Sequence, residues 1–567
     1  MRYRWLARPV PALDLEVPPD DLSFLPHSIA LLLARRGMTP DDVRSYLDPS
    51  LDDLTPSGSL PGVTEAVRRI AGAVESGEKI MIHGDYDADG ITATSIACLA
   101  LRRLGADADY FLPDRFADGY GLSGSGVKAC LESGAGLMLT VDCGTGGSGM
   151  IAELSAGGVD TVVTDHHRPG DGTPGAVAVV NPHLGEGTAP WSSLSGAGVA
   201  YRTMDAVCRE LAGDGRLVED LLPLAAIGTV CDVVPLTGES RILVSHGLRR
   251  MPAGSIPGLA ALSRIAGVGE DSVSARDLAF AIGPRLNSAG RVGHASAAVE
   301  LLTTDDTGRA LELARELDDL NSRRRSLDSR VLDDARTMAA GQPGARILVL
   351  ASEDWHQGVI GIAASRLVSE VGVPVVLVSM DGDRGRGSAR SVQGISIHGL
   401  LEDVQNDTGI LDAFGGHHMA AGLTIERDSL DRLREELEKR MEVHAHQLGR
   451  ARTIWLDGRL DDGDYTVRTV EALRMMEPFG EGNEEPVWLA RSVAPLACRS
   501  VGNGQHLSCT FRLGGQSIRA IGFHMSDLQP MLGGPVDLAF CLREDNWKGR
   551  NSIQLHLRDI RPAGEAV

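Results

Sequence analysis

Between residues 79 and 182 the sequence alternates short, continuous apolar runs with segments of helical periodicity. The runs are KIMIHGD, DADYFLPD, GLMLTVD, TVVTDHH and AVAVVN, and helical candidates such as GITATSIACLALRRLG lie between them. Apolar runs that alternate with helices are typical of parallel strands buried on both faces. The pattern therefore predicts an α/β domain built on a parallel sheet.

The rest of the sequence predicts four further segments. Residues 1–50 contain short helical stretches broken by prolines, and we assign 51–304 to the parallel-sheet domain. Residues 305–340 carry apolar side chains at helical spacing and are followed by GQPG, which predicts one long connecting helix. A smaller α/β pattern occupies 341–450. Short alternating runs over 451–567 predict a small β-barrel.

The charge balance narrows the classes of function. The chain of 567 residues has 77 Asp and Glu against 55 Lys and Arg, a formal net charge of −22. A passive nucleic-acid coat normally needs a basic surface, so this balance excludes a coat but allows an enzyme that holds cations. Residues 241–300 and 491–560 are locally basic, which fits brief contact with a single strand.

Cysteine spacing and hydropathy bear on the compartment. The eight cysteines include no CxxC pair, and the start of the chain lacks the apolar segment of a secretory signal. No uncharged apolar stretch reaches the roughly 18 residues of a membrane span. We therefore expect a cytoplasmic protein with reduced thiols and no membrane contact.

Acidic and imidazole side chains follow four of the apolar runs, at the point where each run ends. Ligands bind outside the carboxyl ends of parallel strands, so we expect these groups to converge on one crevice. Grouped carboxylates repel one another unless cations offset their charge. Oxygen and imidazole donors without thiolate suit Mn²⁺ or a similar divalent ion. The residues are His83, Asp85, Asp87 and Asp89 after KIMI, Asp142 after MLTV, Asp165, His166 and His167 after TVVT, and Asp232 after AAIGTVC.

Each cluster taken alone has a purely structural explanation. Asp-rich stretches such as DYDADG are common in turns and helix N-caps, and a pair of histidines is usually a surface or packed pair. Independent caps have no reason to recur at successive strand ends with histidines among them. The combination therefore predicts a site for two metal ions.

These motifs resemble those of a known enzyme superfamily. HGDYDADG, TVD, TDHH and GTVCDVVPL are similar to the four motifs of the DHH phosphoesterases, and GRGSARS and AFGGHHMAAG resemble their associated C-terminal domain. GPRLNSAGR, MEPFGEGNEEPVW and GNGQHLSCTF narrow the resemblance to the bacterial single-strand-specific exonucleases of that superfamily. The similarity runs from about residue 50 to about 562 and departs from the expected Asn at Cys143.

The resemblance implies a fold and a metal centre. The fold is a parallel-sheet DHH phosphoesterase domain, a long helix, a smaller α/β DHH-associated domain and a C-terminal barrel of the oligonucleotide-binding (OB) type. The centre holds two divalent ions, Mn²⁺ or Mg²⁺. By position, His83 and Asp87 would hold one ion, Asp89, His166 and Asp232 the other, and Asp142 both, with Asp85 as a further ligand or neighbour, Asp165 as an orienting group and His167 as a phosphate contact or proton donor.

The resemblance also implies residues that bind the substrate. Guanidinium groups bind phosphate bidentately, and glycines let backbone N–H groups approach an anion closely. Structural alternatives are a tight turn with exposed histidines for GGHH and a capped turn with surface arginines for GPRLNSAGR. In the barrel, Phe511, Phe523 and Trp547 are candidates for stacking on bases, with core packing as the alternative. The implied contacts are Arg285, Asn287, Arg291, Arg390, Ser391, Gly416, His417 and His418.

The implied activity is hydrolysis of phosphodiesters. Two divalent ions can lower the pKa of a shared water and clamp the attacking and leaving oxygens. The resemblance implies 5′→3′ degradation of single-stranded DNA to 5′-mononucleotides, exclusion of duplex, and a role in DNA repair and recombination. It implies single-strand-binding protein and a RecQ-type helicase as partners.

Two other functions remain open at this point. A small-phosphate hydrolase, such as an oligoribonuclease, a pAp phosphatase or a cyclic-dinucleotide phosphodiesterase, would use the same site but usually needs only the first two domains. A catalytically inactive DNA-binding scaffold would have lost motif acids, and these are all present. The long helix and the predicted barrel therefore favour the exonuclease.

Overall fold

The computed structural model describes residues 3–9, 22–170, 172–185, 187–269, 272–448, 452–545 and 552–564. In these ranges the chain forms a parallel-sheet domain, a smaller α/β domain and a β-rich C-terminal domain, each with its own apolar core. No helix in the described ranges combines the length and the apolar composition that a membrane span requires.

The first domain contains the predicted parallel sheet. Its five strands lie in the order β3-β2-β4-β5-β6, with every neighbouring pair parallel. The central strands are buried along their whole length, as their continuous apolar sequence predicts. The five strands are β2 (Ile80–His83), β3 (Ala108–Phe111), β4 (Leu137–Val141), β5 (Asp160–Thr164) and β6 (Ala178–Val180). The strand before them in the chain, β1 (Tyr3–Ala7), lies outside this sheet.

Helices cover both faces of this sheet. The helices of this domain are α3 (Val63–Ser76), α4 (Ala88–Arg103), α5 (Gly124–Ser133), α6 (Ser148–Ala156), α7 (Gly196–Ala212), α8 (Leu222–Cys231), α9 (Gly238–Arg250), α10 (Pro257–Ala266), α11 (Ala275–Asp277), α12 (Gly283–Val292) and α13 (Ser296–Thr303). Helices α4, α7 and α8 pack on one another, and their apolar side chains form a large part of the core of the domain. Two earlier helices, α1 (His27–Arg35) and α2 (Pro40–Leu47), pack in the core of the C-terminal domain.

One of these helices corrects a sequence prediction. The run AAIGTVC was interpreted like the strands before Asp142 and Asp165, but it belongs to α8. Residues 222–229 of α8 are all buried. A helix buried on every side has no polar face, so its apolar run cannot be distinguished from a strand by periodicity. Asp232 therefore follows the C-terminus of a helix.

The predicted connecting helix is α14 (Thr307–Ala340), which begins at the N-cap Asp306 and ends at Gly341. Its first half buries residues such as Leu313 in the first domain, and its second half buries residues such as Leu332 in the second. The prediction of one helix between the two domains is confirmed.

The second domain has a five-stranded mixed sheet in the order β10-β11-β9-β8-β7. Its elements are β7 (Leu348–Ser352), α15 (Ile360–Val371), β8 (Val375–Asp381), β9 (Arg384–Arg390), α16 (Ile397–Thr408), β10 (Leu411–His417), β11 (Ala420–Glu426) and α17 (Leu430–Met441).

The C-terminal domain is a six-stranded sheet in the order β13-β17-β18-β16-β15-β14, antiparallel except for the pair β16 and β18. Phe511 is fully buried in its core, so the stacking role proposed for it is wrong, whereas Phe523 is 55% exposed. Trp547 lies outside the described residues. The elements are β12 (Arg452–Leu456), α18 (Val467–Met475), β13 (Trp488–Val493), β14 (Pro495–Val501), β15 (His506–Leu513), β16 (Gln516–Gly522), β17 (Val536–Asp545) and β18 (Ser552–Pro562).

The N-terminal segment joins this C-terminal domain. β1 pairs in parallel with β12, and apolar side chains of α1 and α2 share a core with α18 and the six-stranded sheet. The prediction of a purely helical segment over 1–50 is therefore wrong at β1. A strand this short has no periodicity of its own, and its partner lies more than 400 residues away.

Candidate metal centre and phosphate cavity

The acidic residues of the first domain come together at one edge of the parallel sheet. β2, β4 and β5 are neighbours in the sheet. β2 ends at His83, the first residue of HGDYDADG, and β4 and β5 end immediately before Asp142 and Asp165. The backbone N–H of Asp142 donates to the carbonyl of Thr164, which ties the end of β4 to the end of β5. The predicted convergence of the strand-end motifs is confirmed.

Three sets of side chains have ligand atoms close enough to share an ion. In each set, atoms of the three residues lie within 4.8 Å of one another. Nε2 of His166 lies near carboxylate oxygens from three segments: 3.2 Å from Asp142, 3.5 Å from Asp232 and 3.7 Å from Asp89. The sets are Asp85, Asp87 and Asp142; Asp89, His166 and Asp232; and Asp142, His166 and His167.

Several of these atoms are buried without a hydrogen-bond partner. Oδ1 of Asp85, Oδ1 of Asp142 and Nε2 of His166 have no partner among the described residues. Leaving buried polar atoms unpaired costs about 1–3 kcal/mol each, and more when they are charged. Divalent cations would satisfy all three at once, so the donor set fits the predicted metal ions.

Burial and mutual repulsion hold protons on the cluster in the absence of a cation. Burial, followed by the charges of Asp89 and Asp87, raises the pKa of Asp232 to about 8. Burial and the charge of Asp87 raise the pKa of Asp89 to about 6, and the pKa of Asp142 rises for the same kinds of reason. Burial lowers the pKa of His166 to about 4, so its imidazole is neutral and can act as a ligand.

Hydrogen bonds from the start of α7 hold the carboxylate of Asp89 in place. Asp89 accepts hydrogen bonds from the hydroxyl of Ser195 at 3.0 Å and from the backbone N–H groups of Gly196 at 2.7 Å and Ala197 at 2.9 Å. Asp87 is the N-cap of α4, where its carboxylate accepts from the backbone of Asp89 and Gly90. The helix cap and the ligand cluster therefore use the same short segment.

Glycines allow this packing. A Cβ atom on Gly196 would lie 2.2 Å from Oδ1 of Asp142, and one on Gly228 would lie 2.3 Å from Oδ1 of Asp89. Asp142 itself adopts a left-handed backbone conformation with φ of 60°, which is costly for a residue with a side chain. Such strain is often found where function fixes a side chain.

His83 lies apart from the three sets of ligand atoms found among the described residues. Its Nε2 lies 3.3 Å from the hydroxyl of Ser123. Sγ of Cys143 lies 3.6 Å from its Nδ1, and Gly126 packs against the ring. Asp85 groups with Asp87 and Asp142, while His83 is the last residue of β2, and its role as a ligand stays a prediction. Cys143, buried and in contact with His83, takes the place expected for Asn.

Asp165 orients its neighbours, as predicted. Its carboxylate lies 2.7 Å from Nδ1 of His167 and accepts from the backbone N–H groups of His166 at 2.7 Å and Thr145 at 2.9 Å. Burial lowers the pKa of His167, but the hydrogen bond and charge of Asp165 outweigh it, so the net pKa is raised. The hydroxyl of Tyr120 lies 2.6 Å from Nε2 of the same ring.

A cavity of about 1170 Å³ lies between the first two domains beside this cluster. Arg390 lines it, and its donors go to neutral groups: the hydroxyls of Ser365 and Ser388 and the carbonyl of Ala389. Burial, then the nearby charge of Arg115, lowers the pKa of Arg390. An anion would offset this concentration of positive charge. Predicted residues in the wall are Asp87, Arg291, Arg390, Gly416 and His417.

The remaining predicted substrate contacts are engaged elsewhere. Arg285 pairs with Asp318 at 2.8 Å, and Oδ1 of Asn287 accepts from the backbone of Ala88 at 2.9 Å. The hydroxyl of Ser391 donates to the carbonyl of Ile395. None of these three residues lines the cavity, and neither does the exposed His418. The partners Asp318 of Arg285 and Ala88 of Asn287 come from distant segments, which the local motif does not identify.

Arg115 and Tyr120 line the cavity wall but belong to none of the predicted motifs. Both lie in the loop LPDRFADGYGLS that follows β3. β3 ends at the same edge of the sheet as β2 and β4. The rule that ligands bind at strand ends therefore also applied to this loop, although it has no cluster of acids to mark it.

Known proteins match all three domains. Residues 79–229 match the DHH family N-terminal domain, 344–443 the DHHA1 domain and 456–559 the RecJ OB domain. The single-stranded-DNA-specific exonuclease RecJ of Dickeya dadantii (strain 3937) is 36% identical, over 97% of this chain and 98% of its own length. The chain belongs to the RecJ family. This membership confirms the predicted DHH domain, DHH-associated domain and OB domain.

RecJ structures with metal ions share this fold. RecJ from Thermus thermophilus in complex with Mn²⁺ covers 100% of this chain and 80% of its own, with 34% identity and a TM-score of 0.85. The same protein in complex with Mg²⁺ has a TM-score of 0.79 and 33% identity, and covers 100% of this chain and 79% of its own. The donor set predicts Mn²⁺ or a similar divalent ion, and the resemblance implies Mn²⁺ or Mg²⁺; both ions occur in these structures.

Proposed function

We propose that the chain is a metal-dependent exonuclease that degrades single-stranded DNA from the 5′ end to 5′-mononucleotides. The observation that carries the proposal is that one cavity joins the ligand cluster to a set of partly buried arginines. Asp87 lines the same cavity as Arg115, Arg291 and Arg390. A phosphodiester held by these arginines would lie beside the carboxylates.

The two metal ions would be held by the first two sets of ligand atoms. Asp142 belongs to one set and lies 3.2 Å from His166 of the other, which supports the proposal that it serves both ions. When bound, a pair of Mn²⁺ or Mg²⁺ ions supplies a water of lowered pKa and neutralises charge on the phosphate oxygens. Asp85 would join Asp87 as a ligand of one ion, and His83, beside Ser123 and Cys143, remains a predicted ligand of the same ion.

The protein's own side chains would orient the phosphate and manage protons. Arg390 and Arg115 would bind the terminal phosphate, since guanidinium groups match its oxygens. His417 and Gly416 border the same space. His167, held by Asp165 at Nδ1, would contact the scissile phosphate or give a proton to the leaving oxygen.

Two contacts between domains support selectivity for a single strand. Arg291 donates to the carbonyl of Gly358 at 3.2 Å, and Arg386 donates to the carbonyl of Phe116 at 2.9 Å. These bonds join the two domains beside the cavity. The volume of about 1170 Å³ is close to the roughly 300–1,000 Å³ of small-molecule pockets, so we expect the cavity to admit a single strand and not a duplex.

The C-terminal domain would guide the rest of the strand. Exposed arginines lie on its strands, and Phe523 is half exposed next to the rings of His506 and His556. Basic and aromatic side chains together are typical of single-strand binding. Cytoplasmic DNA repair, with single-strand-binding protein and a RecQ-type helicase as partners, is the setting that we propose from family resemblance.

The test uses oligonucleotides labelled at the 5′ end and the full-length protein with Mn²⁺. We expect labelled mononucleotide from single-stranded DNA at the earliest times, with no cleavage of blunt duplex. A dinucleotide and a short RNA serve as rival substrates. If long single strands survive while dinucleotides are cleaved, the protein is a small-phosphate hydrolase and the proposal is wrong.

A further inference from the structure

The loop after β3, residues 112–123, contacts three functional parts of the molecule. Arg115 lines the phosphate cavity and lies 5.0 Å from the centre of the Tyr86 ring. The carbonyl of Phe116 accepts the hydrogen bond from Arg386 of the second domain. Tyr120, five residues after Arg115, reaches His167 of the metal cluster.

Tyr120 makes a specific polar contact with His167. Its hydroxyl lies 2.6 Å from Nε2 and 2.9 Å from Nδ1, and the two rings meet edge to face with centroids 5.2 Å apart. The carboxylate of Asp165 lies 2.7 Å from Nδ1 of the same ring. A phenol hydroxyl can donate to a neutral imidazole nitrogen or accept from a protonated one. Tyr120 can therefore hold the ring in either protonation state.

Packing alone does not explain the position of Tyr120. A tyrosine that serves packing buries most of its ring, whereas Tyr120 is 55% exposed. It lies between the phosphate cavity and a second cavity of about 590 Å³ that is lined by His166, His167 and the Gly144–Gly147 loop. A tyrosine exposed to two cavities that keeps its hydroxyl on a histidine indicates a role for that hydroxyl.

We propose that Tyr120 is a positioning residue for His167, and that the 112–123 loop links the phosphate cavity to the position of that imidazole. Arg115 would bind the terminal phosphate, Arg386 would hold the middle of the loop through Phe116, and Tyr120 would fix the orientation of the His167 ring. This inference rests on the proposed exonuclease function. It gives the second domain a part in catalysis in addition to binding.

The first test is Tyr120→Phe, which keeps the ring and removes the hydroxyl. With saturating Mn²⁺ and 5′-phosphorylated single-stranded DNA, we expect kcat to fall about 10-fold while KM stays within twofold, the size of one lost hydrogen bond. Tyr110→Phe, on β3 of the same domain, is the matched control and should leave both constants unchanged. Mn²⁺ affinity should be unchanged in both variants.

The second test asks whether the loop anchor acts through Tyr120. Arg386→Ala should lower kcat about threefold, and Arg384→Ala, two residues away on β9 and paired with Asp412, should not. Combining Arg386→Ala with Tyr120→Phe should give a loss no larger than Tyr120→Phe alone, because residues that act through one group are not additive.

Each other outcome has a defined meaning. Unchanged kcat in Tyr120→Phe overturns the inference, as does a raised KM at constant kcat, which would make Tyr120 a substrate contact. Weaker Mn²⁺ binding or a lower melting temperature would make its role structural and also overturn the inference. Fully additive losses in the double variant would overturn the link through the loop. If the unaltered protein fails to degrade single strands, the proposed function itself is wrong.

Discussion

Gly196→Ala is a small substitution that the structure predicts to disable the metal centre. The new Cβ would lie 2.2 Å from Oδ1, 2.4 Å from Cγ and 2.5 Å from Cβ of Asp142. These distances are shorter by about 1 Å or more than the usual carbon contact of roughly 3.5 Å. Gly196 is the first residue of α7 and has an ordinary helical backbone, so the alanine adds no backbone strain. The clash with Asp142 is therefore the main effect.

Neither side can move aside easily. Gly196 also donates its N–H to Asp89 at 2.7 Å, so a shift of α7 would disturb a second ligand. Asp142 is 2% exposed and already has a left-handed backbone. A displacement of about 1 Å can cost about 100-fold in rate, and overpacking costs about 1–3 kcal/mol of stability. We expect Gly196→Ala to lose at least that factor in kcat and to bind Mn²⁺ more weakly.

The assay is single-turnover cleavage of 5′-labelled single-stranded DNA over a range of Mn²⁺ concentrations, with thermal unfolding measured in parallel. The control is Gly72→Ala in the middle of α3, where a Cβ meets nothing within 4 Å. That variant should be fully active and up to about 1 kcal/mol more stable. If Gly196→Ala keeps activity within threefold and normal Mn²⁺ affinity, the geometry assigned to Asp142 is wrong.

Three further predictions concern the same site. Asp142→Ala should abolish cleavage while the fold remains intact by circular dichroism, and retained turnover with two bound ions would remove Asp142 from its shared role. Without metal, the melting temperature should fall as the pH rises from about 4 to about 8, because Asp89 and Asp232, whose folded pKa values are raised to about 6 and about 8, keep their protons over a range in which the unfolded chain has already released them. Saturating Mn²⁺ should remove most of that fall, and a flat profile without metal would contradict the clustering. Arg390→Ala should raise KM about 10- to 100-fold for a 5′-phosphorylated strand but far less for a 5′-hydroxyl strand, with Arg384→Ala as control, and equal losses on both strands would contradict phosphate binding.

The features that the sequence predicts well depend on local patterns. The parallel strands are continuous apolar runs, and the long helix was predicted over 305–340 and observed at Thr307–Ala340. The convergence of Asp142 and His166 followed from one rule about strand ends. In each case the information lies within a short segment of chain.

The features that the sequence did not predict depend on distant partners. Asn287 and Arg285 look like substrate ligands in their motif, but their partners Ala88 and Asp318 come from other segments. The contacts of His83 with Ser123 and Cys143 likewise come from segments outside its own motif. β1 finds its partner β12 only in the folded chain.

The most direct test of the metal centre is a calorimetric titration of the chelator-treated protein with Mn²⁺, combined with cleavage of 5′-labelled single-stranded DNA at each point. We predict two ions bound per chain, release of protons on binding at pH values below the raised pKa of about 8 of Asp232, and cleavage that requires the second ion. Cleavage that persists after chelation, or full activity with one ion bound per chain, would contradict the account.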